Sequence, residues 1–256
     1  MLVGLMLLAG AAAVGANAGS QSAAATLSLN AKLRLVSILG PCPPGVSAST
    51  CAERTSRGPF AGLGQATATY TFLADVGPPC ADGWGKALAY PVRFAIASKG
   101  DIFFELAEGA QCVNEADFAV RAQTQTFTVT GGTGIYAGAS GTGTVTRVLV
   151  TTSSGSTGGE TWTGTLTVPG LEFDLTQPTL AGATNKTVRA KKGAKSARVA
   201  FRVTAQDDRD GTLPVACTPR SGSRFKTGRT RVTCSSTDSS ANTANASFTV
   251  TVRPTK

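Results

Sequence analysis

The chain has 256 residues, with 24 basic and 15 acidic side chains, a net charge of +9 and no histidine. Without histidine the commonest general base is missing, which excludes Ser-His-Asp and Cys-His catalysis and any zinc site mixing cysteine with histidine. Residues 26–176 carry a net charge of −2 and residues 177–256 a net charge of +11.

The chain opens on an apolar or small run, Leu2 to Val14, followed by Ala16-Asn17-Ala18 and Ala23-Ala24-Ala25. Either tripeptide fits a small-x-small cleavage site, and a run of about 13 residues is too short for a bilayer. The expectation is a signal peptide over residues 1–25, although no Lys or Arg precedes the apolar run. No later segment has transmembrane character, so a secreted, extracellular or surface-associated protein is expected.

Six cysteines stand at 42, 51, 80, 112, 217 and 234, and no two form a CxxC pair. An even count behind an export signal predicts disulfides. Sequential pairing, Cys42–Cys51, Cys80–Cys112 and Cys217–Cys234, is the expected pattern, although spacing alone does not decide it.

Helix signals are weak, and short period-2 runs rich in Thr, Val and aromatics recur between Gly and Pro, which is the pattern of half-buried strands. Thr67 to Phe72, Thr126 to Thr130 and Thr161 to Val168 are examples. Predicted strands run near 27–37, 66–75, 89–98, 101–106, 121–130, 142–150, 160–168 and 171–175. Eight strands would close a barrel with room for side chains or one small apolar ligand. Asp101 and Glu105 are possible lumen carboxylates; the alternative is that Glu105 points outward into solvent, because Ile102, Phe104 and Leu106 take the other face of that strand.

Between two of these strands lies Phe127-Thr128-Val129-Thr130-Gly131-Gly132-Thr133-Gly134-Ile135-Tyr136-Ala137-Gly138-Ala139-Ser140-Gly141. A phosphate-cradling loop would need a helix next, and a strand-like Thr/Gly run follows instead. The reading is a tight β-corner that needs positive φ and close backbone approach, with Gly131, Gly132, Gly134, Tyr136, Gly138 and Gly141 as its structural residues. The segment resembles the corner of the dirigent and allene-oxide-cyclase-like barrels. That resemblance implies either steering of radical coupling or an oxylipin cyclisation, and no catalytic residue carries over to this chain.

A boundary is expected near Gln177-Pro178, where the charge changes. Beyond it, Ala197 to Thr204 alternates as a strand with Val199, Phe201 and Val203 inward. An acidic turn, Ala205-Gln206-Asp207-Asp208-Arg209-Asp210-Gly211, comes next, then Cys217, Ser221-Gly222-Ser223-Arg224-Phe225, Gly228 to Cys234, Asp238 to Asn242 and Ser247 to Val252. This order resembles the hyalin-repeat family, with one departure: Ala241 stands where the family favours Gly. The resemblance implies an immunoglobulin-like sandwich associated with adhesion, no enzymatic activity, and the Cys217–Cys234 bridge.

Lys191, Lys192, Lys195, Arg220, Arg224, Lys226, Arg229 and Arg231 are the candidate contacts for an acidic polysaccharide, cell-envelope polymer or extracellular DNA. Compositional bias is the alternative. Nothing provides an aromatic stacking platform between these charges, so sequence-specific nucleic-acid recognition is not expected. Asp207, Asp208 and Asp210, with Asp238, offer oxygen ligands of the kind calcium takes. Asp and Gly also build ordinary turns, and the spacing matches no EF-hand, so neither metal nor cofactor is expected. Asn185-Lys186-Thr187 and Asn245-Ala246-Ser247 are sequons that matter only in a eukaryotic secretory pathway.

The expected fold is all-β: an eight-stranded antiparallel barrel over 26–176 followed by an immunoglobulin-like sandwich over 177–256. The expected function is non-enzymatic binding or adhesion. The alternative is a small-molecule isomerase or cyclase, or a ligand carrier, with its site inside the barrel.

Overall fold

The structure is a computed structural model that describes residues 25–48, 50–80, 83–113, 120–152 and 155–255. Residues 1–24 of the expected signal peptide lie outside the described residues. The N-terminal unit comprises β1 (Ala25–Gly40), β2 (Thr50–Phe60), β3 (Gly64–Cys80), β4 (Gly83–Ala87), β5 (Tyr90–Ile96), β6 (Gly100–Leu106), β7 (Gly109–Val113), β8 (Val120–Gly132), β9 (Gly141–Thr152) and β10 (Gly155–Val168).

Eight of these strands close a ring. The order β2-β1-β10-β9-β8-β6-β5-β3 is sealed by a β2–β3 ladder, so an antiparallel barrel forms. Strands β4 and β7 pair with each other and with the far ends of β3 and β8, so they continue β5 and β6 past breaks at Leu88-Ala89 and Ala107-Glu108. The Gln125 side-chain amide bridges the breaks, donating from Nε2 to the carbonyls of Leu88 (3.0 Å) and Ala107 (2.9 Å). A broken ladder frees carbonyls that need another donor, and Gln125 supplies it.

Alternation along each strand sends one face inward. In β1, Leu27, Leu29, Ala31, Leu33 and Leu35 are buried, while Thr26, Ser28, Asn30, Lys32 and Arg34 face out. Phe60, Phe94, Phe104, Phe127 and Trp162 fill one part of the lumen, their ring centroids 5.1–5.6 Å apart and mostly edge-to-face. Each such contact contributes roughly 0.5–1.5 kcal/mol beyond area burial.

The eight-strand barrel is present, but with one strand exchanged. Residues 171–175 form no strand, and β2, which had no predicted counterpart, completes the ring. Ahead of Phe60 its inward residues Ala52, Arg54 and Ser56 are small or polar, so hydrophobic periodicity never marked it.

The C-terminal unit comprises β11 (Thr179–Ala181), β12 (Lys186–Arg189), β13 (Ser196–Arg198), β14 (Thr204–Asp207), β15 (Gly211–Leu213), β16 (Ala216–Thr218), β17 (Arg224–Lys226), β18 (Gly228–Thr237) and β19 (Thr243–Arg253). The sheet β12-β19-β18-β16 packs with the smaller sheets β11-β14-β15 and β13-β17 around Val199, Phe201, Phe225, Val232, Phe248, Val250 and Val252. The single strand expected over 197–204 is split. β13 pairs with β17, β14 pairs with β11 and β15, and the chain crosses between sheets in the interval. Ser221 satisfies the crossing: its Oγ accepts from Phe201 N–H (2.9 Å) and donates to the Phe201 carbonyl (2.7 Å). Val199 and Phe201 therefore stay buried although the strand leaves its ladder.

The two units touch at one end of the sandwich. Gly62 N–H donates to the Ser240 carbonyl (2.8 Å), and Lys99 Nζ donates to the Ser239 carbonyl (3.0 Å) and Ser240 Oγ (3.2 Å).

Candidate functional sites

Candidate sites outside the apolar cores include a polar cluster in the barrel lumen, a groove on the barrel wall and a basic pole on the sandwich. The lumen cluster comes from strand parity. Glu160 shares the inward face of β10 with Trp162, Leu166 and Val168, and Arg147 shares that of β9 with Val145 and Leu149. The two are direct partners in the β9–β10 ladder. Arg147 Nε donates to Glu160 Oε2 at 2.9 Å, and both side chains are wholly buried.

Further hydrogen bonds extend the cluster. Arg147 Nη1 and the Tyr90 hydroxyl donate to Gln125 Oε1 (2.9 and 3.1 Å), and the Tyr70 hydroxyl donates to Glu160 Oε2 (3.3 Å). Arg54 donates to Gln123 Oε1 (2.8 Å) and Ser37 Oγ (3.3 Å), with its guanidinium 3.5 Å from the Phe72 ring centroid. Burial raises both tyrosine hydroxyls above their ordinary range, because a tyrosinate would lose its solvent there. Burial alone would lower Arg147, but Tyr70, Tyr90 and Glu160 outweigh it and keep the guanidinium charged. Arg147 Nη2, Glu160 Oε1 and Trp162 Nε1 are buried without a hydrogen-bond partner among the described residues.

The groove lies where the wall is thin. β3 pairs with β5 at Ala66–Ile96 and Thr67–Ala95, and pairing resumes at Ala74–Ala87. Over the intervening stretch a depression of about 590 Å³ lies on the wall, lined by Tyr70, Tyr90, Leu73, Phe103 and Glu105, with Val46 at its rim. The volume is in the range of small-molecule sites. Tyr70 and Tyr90 stack at 5.6 Å between this groove and the buried ion pair.

Asp101 and Glu105 are not lumenal. Glu105 is exposed and Asp101 pairs with Arg93 at 3.4 Å, because Ile102, Phe104 and Leu106 occupy the inside of β6. Among the described residues the lumen carboxylate is Glu160. Parity with Trp162 in the sequence would have found it.

On the sandwich, Lys191, Lys192, Lys195, Arg220, Arg224, Lys226, Arg229 and Arg231 are all exposed. Register gathers several of them at one pole. Arg189 is opposite Arg253, Gly228 is opposite Val252, Ala190 N–H donates to the Arg253 carbonyl, and Thr227 N–H donates to the Lys195 carbonyl. Lys191, Lys192, Lys195, Lys226 and Arg229 therefore crowd the end of β18 that begins at Gly228. Arg198 and Arg224 are paired in the β13–β17 ladder. The four acidic residues beyond position 177, Asp207, Asp208, Asp210 and Asp238, stand at the other end of β18, beside the barrel. Ten strand residues separate the poles by about 30 Å.

Two expected disulfides are formed. Cys42–Cys51 closes the loop before β2, and Cys217–Cys234 joins opposed residues of β16 and β18. The side chains of Cys80 and Cys112 lie outside the described residues. The glycine corner is a β8-to-β9 turn through a single 3₁₀ turn at Gly134–Tyr136, with Tyr136 buried and its hydroxyl donating to the Leu63 carbonyl (3.3 Å). Gly134 has φ +59°, and a Cβ there would stand 2.3 Å from the Lys99 carbonyl oxygen. The strand β9 follows the turn where a phosphate loop would have a helix.

The architecture defines an all-β protein with a closed barrel joined to an immunoglobulin-like sandwich. Residues 173–252 match the family model of the HYR domain, a match confined to the sandwich and the connection leading into it. Comparison with curated proteins and with solved structures finds no match. The HYR domain indicates an extracellular, adhesion-type role, and the two disulfides fit that location. No helix among the described residues is long and apolar enough to cross a membrane.

Proposed function

We propose that the chain is an exported, non-enzymatic attachment protein, with residues 1–25 as signal peptide, 26–176 as barrel and 177–256 as sandwich. The pole of the sandwich far from the barrel engages an acidic polysaccharide or cell-envelope polymer. The observation that supports this reading is the segregation of charge: exposed cations crowd one pole and the sandwich carboxylates stand at the other. Such a pole presents a positive field to a polymer while the barrel is held away from it. The test is retention of the full chain on an immobilised acidic polysaccharide. Lys191→Ala/Lys192→Ala/Lys195→Ala elutes at markedly lower salt than the unmodified chain, and all binding is lost as salt approaches 1 M, where the screening length is about 3 Å. Retention unaffected by that triple substitution refutes the polar-field reading.

A second reading rests on the groove over Tyr70 and Tyr90. In that reading the barrel binds a small amphipathic molecule, as a carrier or, following the dirigent-like resemblance of the glycine corner, as an isomerase or cyclase. An environment-sensitive apolar dye serves as probe: binding abolished by Leu73→Glu supports the reading, and no binding, or binding that Leu73→Glu leaves intact, counts against it.

A further inference from the structure

Three carboxylates from separate parts of the chain converge at the junction of barrel and sandwich. Asp174 lies on the connection after β10, Asp207 at the end of β14 and Asp238 just beyond β18. Each is more than nine-tenths buried, and one oxygen from each lies within 4.8 Å of those of the other two. Three like charges that close, held away from solvent, repel strongly unless a cation is shared among them.

The fixed part of each carboxylate is anchored by the chain. Asp207 Oδ1 accepts from Arg209 N–H (3.0 Å) and Asp210 N–H (2.9 Å). Asp238 Oδ1 accepts from Ser240 N–H (2.9 Å) and Asn242 N–H (2.8 Å), and its Oδ2 from Asn242 Nδ2 (2.8 Å). Asp174 Oδ1 accepts from Thr176 N–H (3.0 Å). A separate observation points to a ligand: Asp207 Oδ2, on a residue only 4% exposed, has no hydrogen-bond partner among the described residues. An ionised oxygen left bare in the interior is costly.

Lys99 lies close enough to Asp174 and Asp238 to feel their charge, but among the described residues neither its ammonium nor the Arg209 guanidinium hydrogen-bonds to the three carboxylates. Lys99 Nζ bonds to the carbonyls of Leu63 and Ser239 and to Ser240 Oγ, and Arg209 Nη2 faces the exposed Glu172 at 3.8 Å. A cavity of about 240 Å³ lined by Lys99, Asp174, Asp210, Ser239 and Ser240 opens beside the cluster and offers a route in.

We infer that Asp174, Asp207 and Asp238 form a calcium site that fastens the sandwich to the connection leading from the barrel. Calcium takes six to eight oxygens at about 2.3–2.6 Å, so oxygens on one ion stand up to about 5 Å apart, which this cluster fits. Magnesium keeps several of its waters and is usually held by one or two carboxylates, so three protein carboxylates suit calcium better. Only the Asp207–Asp238 part of the turn-based grouping is used. Asp208 is exposed, and Asp210 is bonded to Ser239 N–H (2.7 Å) and Ser239 Oγ (3.1 Å).

The test uses the full chain stripped with a chelator, titrated calorimetrically with CaCl2 or MgCl2, and followed by thermal unfolding. One calcium ion binds, with a Kd of about 10⁻⁴–10⁻³ M as in extracellular modules, and Tm rises with calcium. Magnesium at the same concentration gives a clearly smaller rise. Asp207→Asn loses at least tenfold in calcium affinity, yet without calcium it is at least as stable as the unmodified chain, because one of three like charges is gone. That pairing of signs separates a ligand from a structural carboxylate. Asp208→Asn keeps the full response, and Asp174→Asn repeats the loss of affinity should Asp207→Asn fail to fold. The inference is overturned if the unmodified chain shows neither heat nor a Tm change up to about 10 mM calcium, if magnesium acts equally, or if the variants at 207 and 174 respond as the unmodified chain does.

Discussion

Arg147 and Glu160 stand directly opposite each other across the β9–β10 ladder and meet at 2.9 Å inside the barrel, with no solvent exposure on either side chain. Removing one partner strands the other charge in the lumen, so Arg147→Met or Glu160→Gln is expected to cost about 3–5 kcal/mol. Arg147→Met also takes away a donor to Gln125 Oε1, on the residue that bridges the breaks in the two broken strands. Arg147→Met/Glu160→Leu should cost well under the sum of the two single changes, because no uncompensated charge remains. Urea unfolding of the four proteins at neutral pH measures this. Single losses below about 1 kcal/mol would mean that the lumen solvates the orphaned charge.

Tyr70, Tyr90 and Tyr136 are the three tyrosines of the chain, and each has its hydroxyl pKa raised by burial. The sign follows from linkage. Below the ordinary value near 10 both folded and unfolded states hold the phenol proton, and the stabilisation is fully present. Above it only the unfolded state ionises, so stability falls as pH rises toward the raised folded values, by about 1.4 kcal/mol per pH unit for each tyrosine. Tyrosinate absorbance near 295 nm should therefore be absent from the folded protein above pH 10 and appear in one step, together with loss of the circular-dichroism signal. A smooth titration centred near pH 10 with the fold intact would contradict the burial of these hydroxyls.

Much of this architecture was legible in the residues, for reasons of parity. Val232 and Thr230 alternate with Arg231 and Arg229, so the inward and outward faces of β18 followed directly. Leucines at every second position marked β1 in the same way. β2 was not legible, because its inward side chains Arg54 and Ser56 serve a polar lumen, and a polar face reads as loop. The crossing at Val199–Val203 kept its alternation while losing its ladder, and alternation alone cannot distinguish a paired strand from one that Ser221 satisfies. The acidic triad was half visible: Asp207 and Asp238 stood in recognisable turns. Asp174 lies more than 30 positions upstream in a strandless connection, and only the fold brings it to them.

Backbone handedness makes opposite predictions at two turns. Ala241 has φ +65° in the turn between β18 and β19, a conformation that costs a residue with a Cβ about 1–2 kcal/mol. Glycine removes that strain but gives up about 0.5–1 kcal/mol in unfolded-state entropy, so Ala241→Gly should stabilise by a few tenths to about 1 kcal/mol. Gly134 presents the converse. It has φ +59°, and an added Cβ would lie 2.3 Å from the Lys99 carbonyl oxygen, a backbone atom that cannot rotate away. Gly134→Ala should therefore destabilise by at least about 2 kcal/mol. Gly193, at φ +73° with open space around its Cβ position, is the control: Gly193→Ala meets the conformational cost alone and should lose about 1 kcal/mol. Thermal unfolding of the three variants ranks them as 241 above the unmodified chain, then 193, then 134. If 134 and 193 prove equal, the corner between β8 and β9 has room to relax, and close backbone approach is not what requires glycine there.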